Sequence, residues 1–99
     1  MAKAQRSVEP EIRALVRDLR KELGLTQRQF AELADLPEDT YVARVETGAN
    51  KLTSHTMRVA FARGFGLSVE DLDAYLEGRL SLTQAVRRSR AVPPATGTG

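Results

Sequence analysis

The segment of residues 25 to 48, LTQRQFAELADLPEDTYVARVETG, constrains the fold of this chain more than any other part of its sequence. Thr26 is followed three residues later by Gln29, which is the T-x-x-Q pattern of a helix-capping box. Pro37 ends this helix, because proline disfavours a helical backbone at the residue before it. A second helix is expected from about Glu38 to the closing glycine. The segment therefore predicts two short helices joined by a tight turn.

Helical periodicity also marks the rest of the chain. Before this segment, apolar residues recur at the spacing of one buried helix face, which predicts a first helix from Glu9 with Pro10 in its first turn. After it, a fourth helix is expected over about residues 54 to 65, a fifth capped by Ser68 and a short sixth capped by Ser81. No stretch alternates as a half-buried strand does. The sequence predicts an all-α fold of five helices and a short sixth.

Composition excludes several classes of function. The chain has 99 residues and no cysteine, so it can form neither disulfides nor thiolate metal sites. Its single histidine, His55, opens a predicted helix without an obvious nucleophile nearby, and we expect no enzyme activity, no metal and no cofactor. No apolar run reaches the roughly 18 residues of a membrane helix, and the first ten residues lack the apolar core of a signal peptide. We therefore expect a cytoplasmic protein without membrane contacts.

The charges of the chain nearly balance but are unevenly distributed. There are 15 Lys and Arg residues against 13 Asp and Glu residues, which gives a net charge of +2 and a pI of about 9.4. Basic residues cluster at 13–28 and 87–90, and acidic residues at 32–39 and 70–77. Local basic surfaces on a mildly basic domain suit a polyanionic partner.

The two short helices carry polar side chains where a DNA-binding protein needs them. In a helix-turn-helix the second helix enters the major groove and the first lies across the DNA backbone. With Val42 and Val45 facing inward, the outward residues could contact bases or phosphates, and Arg44 could pair with guanine. The residues expected to contact DNA are Thr26, Gln27 and Arg28 at the start of the first helix, Asp39, Thr40, Tyr41, Ala43, Arg44 and Thr47 on the second, and Asn50 and Lys51 after it.

Two acids, Glu38 and Asp39, stand at the expected start of the second helix. They could accept hydrogen bonds from cytosine, although each would repel nearby phosphates. They could equally complement the helix dipole from the first turn of the helix. Both interpretations stay open at this level.

Four segments of the chain resemble the helix-turn-helix of phage repressors and Cro, also called the xenobiotic-response-element family: RKELGLTQ, QFAELA, RVETG and FGLSVEDL. The resemblance extends over about residues 12 to 76 and implies a lambda-repressor-like DNA-binding domain that binds palindromic sites as a homodimer. It also implies that Arg20 pairs with Glu46, shortly before the closing Gly48, and fixes the angle between their helices. Around residues 35–37 the chain has one residue more than the family pattern.

These patterns divide the chain into four regions. A flexible N-terminal arm at 1–8 precedes a helix-turn-helix DNA-binding domain at 9–78. An extension at 79–90 could form an extra helix or a dimerisation surface, and a disordered tail follows at 91–99. Three apolar residues of the extension could seal the core of one protomer or dock against a second: Leu80, Leu82 and Val86.

We therefore expect a sequence-specific regulator of transcription that binds double-stranded DNA, a repressor acting as a homodimer. Its recognition helix would be residues 38–47, lying in the major groove. The alternative is a protein-interaction module on the same fold, such as the antitoxin of a toxin–antitoxin pair, whose partner would be another protein.

Overall fold

The computed structural model describes residues 11–90 of the protein, and the expectations for residues 1–8 and 91–99 lie outside that range. The predicted all-α fold is confirmed, since the described residues form helices and no strand. The helices are α1 (Ile12–Glu22), α2 (Gln27–Leu33), α3 (Thr40–Glu46), α4 (His55–Phe65), α5 (Val69–Leu76) and α6 (Leu82–Arg88).

Hydroxyl caps begin four of these helices. The side chains of Thr26, Ser54, Ser68 and Ser81 each accept a hydrogen bond from the backbone N–H three residues later. At Thr26 and Ser81 the glutamine at that third position also accepts from the N–H of the capping residue, which completes both predicted capping boxes. Local sequence therefore determines where these helices begin.

Two predicted helix starts are wrong. Glu11 is extended, with φ −80° and ψ 130°, so α1 begins at Ile12 and not at Glu9. The third helix begins at Thr40 rather than at about Glu38, since Asp35 ends the turn after α2 with a left-handed φ of 60° and Asp39 is only the capping residue of α3. Glu38 and Asp39 were expected in the first turn of α3. They lie just before it.

An aromatic cluster joins α2 to α4. The ring centroid of Phe30 lies 5.0 Å from that of Phe61 and 4.6 Å from that of Phe65, and all three side chains are fully buried. Gly64 lets the helices approach, since a Cβ atom at this position would lie only 2.6 Å from Cε1 of Phe30. The cluster fixes α2, and therefore the start of the helix-turn-helix, on the rest of the core.

The last helix closes the core of the same protomer. Helix α6 packs against α1 and α5, and Ala85 is fully buried there. Leu80 is buried, while Leu82 and Val86 are partly buried against the same cluster. These contacts show that the three residues help to seal the core, while docking against a second protomer stays a prediction.

Candidate nucleic-acid interface

A buried ion-pair network connects α1, α2 and α3. The Arg20 guanidinium donates through Nε to Oε2 of Glu46 (2.6 Å) and through Nη2 to Oε1 (3.0 Å). A further donor, Nη1, bonds the Leu25 carbonyl oxygen at 2.8 Å. The side chains of Arg20 and Glu46 are only 10% and 6% exposed. The pair implied by the family resemblance is therefore present, and it holds the end of α3 against α1.

Gln27 belongs to the same network. Its Nε2 donates to Oε1 of Glu46 at 3.1 Å, so the amide group points into the protein. One of the two N–H donors of this amide is thereby bound to Glu46, and the backbone N–H of Gln27, in the first turn of α2, has no intrahelical acceptor. At the same helix start, the Thr26 hydroxyl caps α2, and Arg28 is 82% exposed with its Nε 4.0 Å from Oε2 of Glu32.

The outward face of α3 carries the predicted contact residues. Thr40, Arg44 and Thr47 are exposed, whereas Tyr41 and Ala43 are partly buried at the border of this face. Val42 and Val45 are fully buried, as expected, and anchor the opposite face. No acidic side chain among residues 11–90 lies within ion-pair distance of Arg44. The Arg44 guanidinium is therefore available to an external acceptor.

The two acids before α3 behave differently from each other. Glu38 accepts a hydrogen bond from the Thr40 hydroxyl through Oε1 at 3.0 Å. Asp39 is the N-cap residue of α3, but its side chain makes no capping hydrogen bond. Both are exposed next to the first turn, where their negative charges complement the helix dipole from outside the helix.

The loop after α3, residues 48–53, holds a defined shape. The Asn50 N–H donates to the Arg44 carbonyl oxygen (2.9 Å), and Oδ1 of Asn50 accepts from the Leu52 N–H (2.8 Å). Leu52 has a left-handed φ of 57° and is fully buried. Gly48, with φ 90°, ends the helix as predicted. Lys51 lies exposed between Asn50 and Leu52, and its ammonium has no acidic partner among residues 11–90.

Arg13 is a candidate contact residue that the sequence did not single out. It lines a cleft of about 620 Å³ together with Thr47, Asn50 and Lys51. Its Nε bonds Oε1 of Glu11 at 2.8 Å, and its aliphatic part lies against Gly48. The basic cluster at 13–28 is the sequence signal that could have identified Arg13. The sequence does not reveal, however, that the start of α1 lies beside the end of α3.

Other kinds of site lack support among residues 11–90. No group of three or more potential metal ligands occurs there. None of the helices formed by these residues is long and apolar enough to cross a membrane. His55 is exposed as the first residue of α4.

A family model described as "Helix-turn-helix domain" matches residues 11–75. This range contains α1 to α4, all but the last residue of α5, the buried ion-pair network and the exposed face of α3. It supports the prediction of a DNA-binding helix-turn-helix regulator. No curated protein and no solved structure matches the chain.

Proposed function

The chain belongs to the helix-turn-helix domain family, and on this premise we propose that it is a sequence-specific transcriptional regulator of the Cro-like, xenobiotic-response-element type. Helix α3 would lie in the major groove of double-stranded DNA. The loop of residues 48–53 and the start of α2 would contact the flanking phosphates. The protein would act where the DNA is, in the cytoplasm and associated with the nucleoid.

One observation carries this proposal: the cations Arg44 and Lys51 are exposed and have no acidic partner among residues 11–90. Other exposed cations also lack an acidic partner there, but Arg44 and Lys51 are the two cations of residues 38–53, the segment that forms α3 and its flanks. An unpaired guanidinium on an exposed helix face suits the O6 and N7 acceptors of guanine, and an unpaired ammonium on the loop that follows the helix suits a phosphate.

The regulator is proposed to repress as a homodimer. A single α3 of seven residues reads only a few base pairs, and two copies related by a two-fold axis would read an inverted repeat with half-site centres roughly 34 Å apart. A dimer on such a site can block access by other proteins.

Selection of duplexes from a random pool by the full chain tests sequence specificity. We expect enrichment of an inverted repeat whose half-site centres lie about one helical turn apart. Repeating the selection with Arg44→Ala should relax the preference at one base pair of each half-site. A pool without any enriched motif after selection would contradict sequence-specific binding.

A second candidate is a protein-interaction module, such as an antitoxin, and one surface favours it. A groove of about 320 Å³ beside the turn is lined by Leu36 and Pro37, with Glu32, Glu38 and Asp39 among the lining residues. Arg28 also lines this groove, so three carboxylates stand against one guanidinium, and the net negative charge suits a basic protein segment. Recovery of one protein at equal stoichiometry in the absence of DNA would favour this function. Loss of that protein with Glu38→Lys would assign it to the groove.

A further inference from the structure

We propose that Arg58 and Asp73 form a strap that positions the loop of residues 48–53, and with it Lys51, for contact with a DNA phosphate. The inference rests on the proposed function, because it concerns the loop that would flank α3 on DNA. Neither residue belongs to the two helices of the motif, α2 and α3. Arg58 lies in α4 and Asp73 in α5, and the strap would act through the loop alone.

The strap consists of two short hydrogen bonds made by one guanidinium. Arg58 donates through Nε to the Leu52 carbonyl oxygen at 2.7 Å and through Nη1 to Oδ1 of Asp73 at 2.6 Å. The side chains of Arg58 and Asp73 are 23% and 36% exposed, so the pair is partly shielded from water. Because the two donors belong to one planar group, the carboxylate fixes the orientation of the Nε–H that holds the loop.

The loop needs such a restraint because its backbone is in a conformation that favours glycine. Leu52 has a φ of 57°, which crowds its Cβ against the backbone. Residues with a Cβ stay in this region only where their surroundings determine it. Here burial of the Leu52 side chain and the bond from Arg58 to its carbonyl oxygen supply that restraint.

The opposite end of the loop is tied to the recognition helix. Two hydrogen bonds restrain Asn50: its N–H donates to the Arg44 carbonyl oxygen, and its Oδ1 accepts from the Leu52 N–H. Lys51 is thus held between a residue fixed to α3 and a residue fixed through Arg58 to α5. The direction in which Lys51 leaves the backbone depends on both attachments.

A double-mutant cycle on DNA binding tests this coupling. The salt dependence of binding to a random-sequence duplex is measured for the wild type, Lys51→Ala, Asp73→Asn and the double variant. Lys51→Ala should reduce the slope of log K against log salt by about one. Asp73→Asn should reduce it by nearly as much, and adding Lys51→Ala to Asp73→Asn should change it little. A full further loss in the double variant would overturn the proposal, because Lys51 would then act independently of the strap.

Glu77→Gln is the matched control. Glu77 lies directly after α5 and pairs with the exposed Arg79 at 2.6 Å, and its replacement changes the net charge by the same amount as Asp73→Asn. Glu77 makes no bond to the loop, so we expect the salt slope to equal that of the wild type. A reduction in Glu77→Gln equal to that in Asp73→Asn would assign the effect to charge and overturn the proposal.

Amide hydrogen exchange tests the strap without DNA. Exchange of the Leu52 N–H should be at least about tenfold faster in Asp73→Asn than in the wild type or Glu77→Gln, since the loop opens more often. The N–H of Phe30 in α2 should exchange at the same rate in all three proteins. Unchanged exchange at Leu52 would overturn the proposal. If the wild type fails to bind DNA while Leu52 exchange accelerates as expected, the proposed function fails and the strap itself stands.

Discussion

The guanidinium of Arg20 and the carboxylate of Glu46 meet across 26 residues of chain in a two-bond contact with distances of 2.6 and 3.0 Å. Arg20 lies near the end of α1 and Glu46 ends α3, so the contact fixes the orientation of α3 relative to α1. Gln27 and the Leu25 carbonyl oxygen complete the hydrogen bonding of the pair. The orientation of α3 therefore depends on one buried polar network.

Removal of one partner from this network should destabilise the fold strongly. Arg20→Met should lower the free energy of unfolding by about 3 to 5 kcal/mol, because Glu46 would remain buried without its counter-charge. Urea unfolding of the purified protein measures the loss. Arg17→Met is the control, since Arg17 pairs with Asp18 on the surface at 3.5 Å, and it should cost less than about 1 kcal/mol. Equal losses in the two variants would contradict the structural role of the Arg20–Glu46 pair.

Gly64→Ala should destabilise the protein through a clash and not through the backbone. The added Cβ would lie 2.6 and 2.7 Å from ring atoms of Phe30, which is itself wedged between Phe61 and Phe65. We expect a loss of about 1 to 3 kcal/mol, despite the higher helix propensity of alanine.

Smaller side chains at position 30 should relieve this clash. The loss caused by Gly64→Ala, measured by urea unfolding, should be smaller in a Phe30→Leu background. Gly24→Ala is the comparison, because its φ is 75° and the space around it is open, so its cost comes from the backbone alone. Its effect should add to that of Phe30→Leu. Additive behaviour of Gly64→Ala with Phe30→Leu would contradict the clash.

Tyr75 should make the free energy of unfolding decrease as the pH rises through the alkaline range. Burial raises the pKa of the Tyr75 phenol above its ordinary value of 10.0, and the negative charge of Asp18 adds to this rise. The phenol also donates to the Leu15 carbonyl oxygen at 2.7 Å. Above pH 10 the unfolded chain loses this proton while the folded chain keeps it, so the contribution of Tyr75 to stability falls as the pH rises.

Tyr75→Phe isolates that contribution. At pH 8 the variant should be less stable than the wild type by about 1 kcal/mol, because one hydrogen bond is lost. The difference between the two free energies of unfolding should shrink as the pH is raised from 8 to 11. A difference that stays constant over this range would show that the phenol titrates alike in the folded and unfolded chains.

Arg44 and Lys51 should affect DNA binding in different ways. Arg44→Ala should cost about 1 to 3 kcal/mol on the selected duplex and much less on unrelated sequences, since a guanidinium that pairs with a base carries specificity. Lys51→Ala should weaken binding to every sequence by the same factor, because a phosphate contact is independent of sequence. Fluorescence anisotropy with both duplexes measures these effects. Arg79→Ala, at an exposed site bonded to Glu77, is the control and should leave both affinities near the wild type.

Local signals in the sequence predicted much of this fold. The hydroxyl caps at Thr26 and Ser81, the glycine after α3 and the buried valines of that helix depend on residues a few positions apart. The start of α3 was misplaced because Asp35 adopts a left-handed backbone at a position where the sequence has no glycine.

Long-range hydrogen bonds explain what the sequence could not predict about the candidate site. The amide of Gln27 suits a phosphate by its chemistry, yet it bonds Glu46, which lies 19 residues away. Arg58 carried no signal at all, because its partners Leu52 and Asp73 become neighbours only when α4 and α5 pack together. Residue type and helix position predict which groups could bind DNA, and tertiary contacts decide which of them remain free.

The salt dependence of binding to a random-sequence duplex tests the central claim, that the face around α3 binds DNA, most directly. Between 50 and 200 mM salt the affinity of the full chain should fall by at least about tenfold, as expected when two or more phosphates are contacted. Replacing Arg44 and Lys51 together, in Arg44→Ala/Lys51→Ala, should reduce the slope of log K against log salt by at least about one, the share of the phosphate contact assigned to Lys51. A change of less than about twofold, or no binding at the lowest salt concentration, would contradict the assignment of this face to DNA.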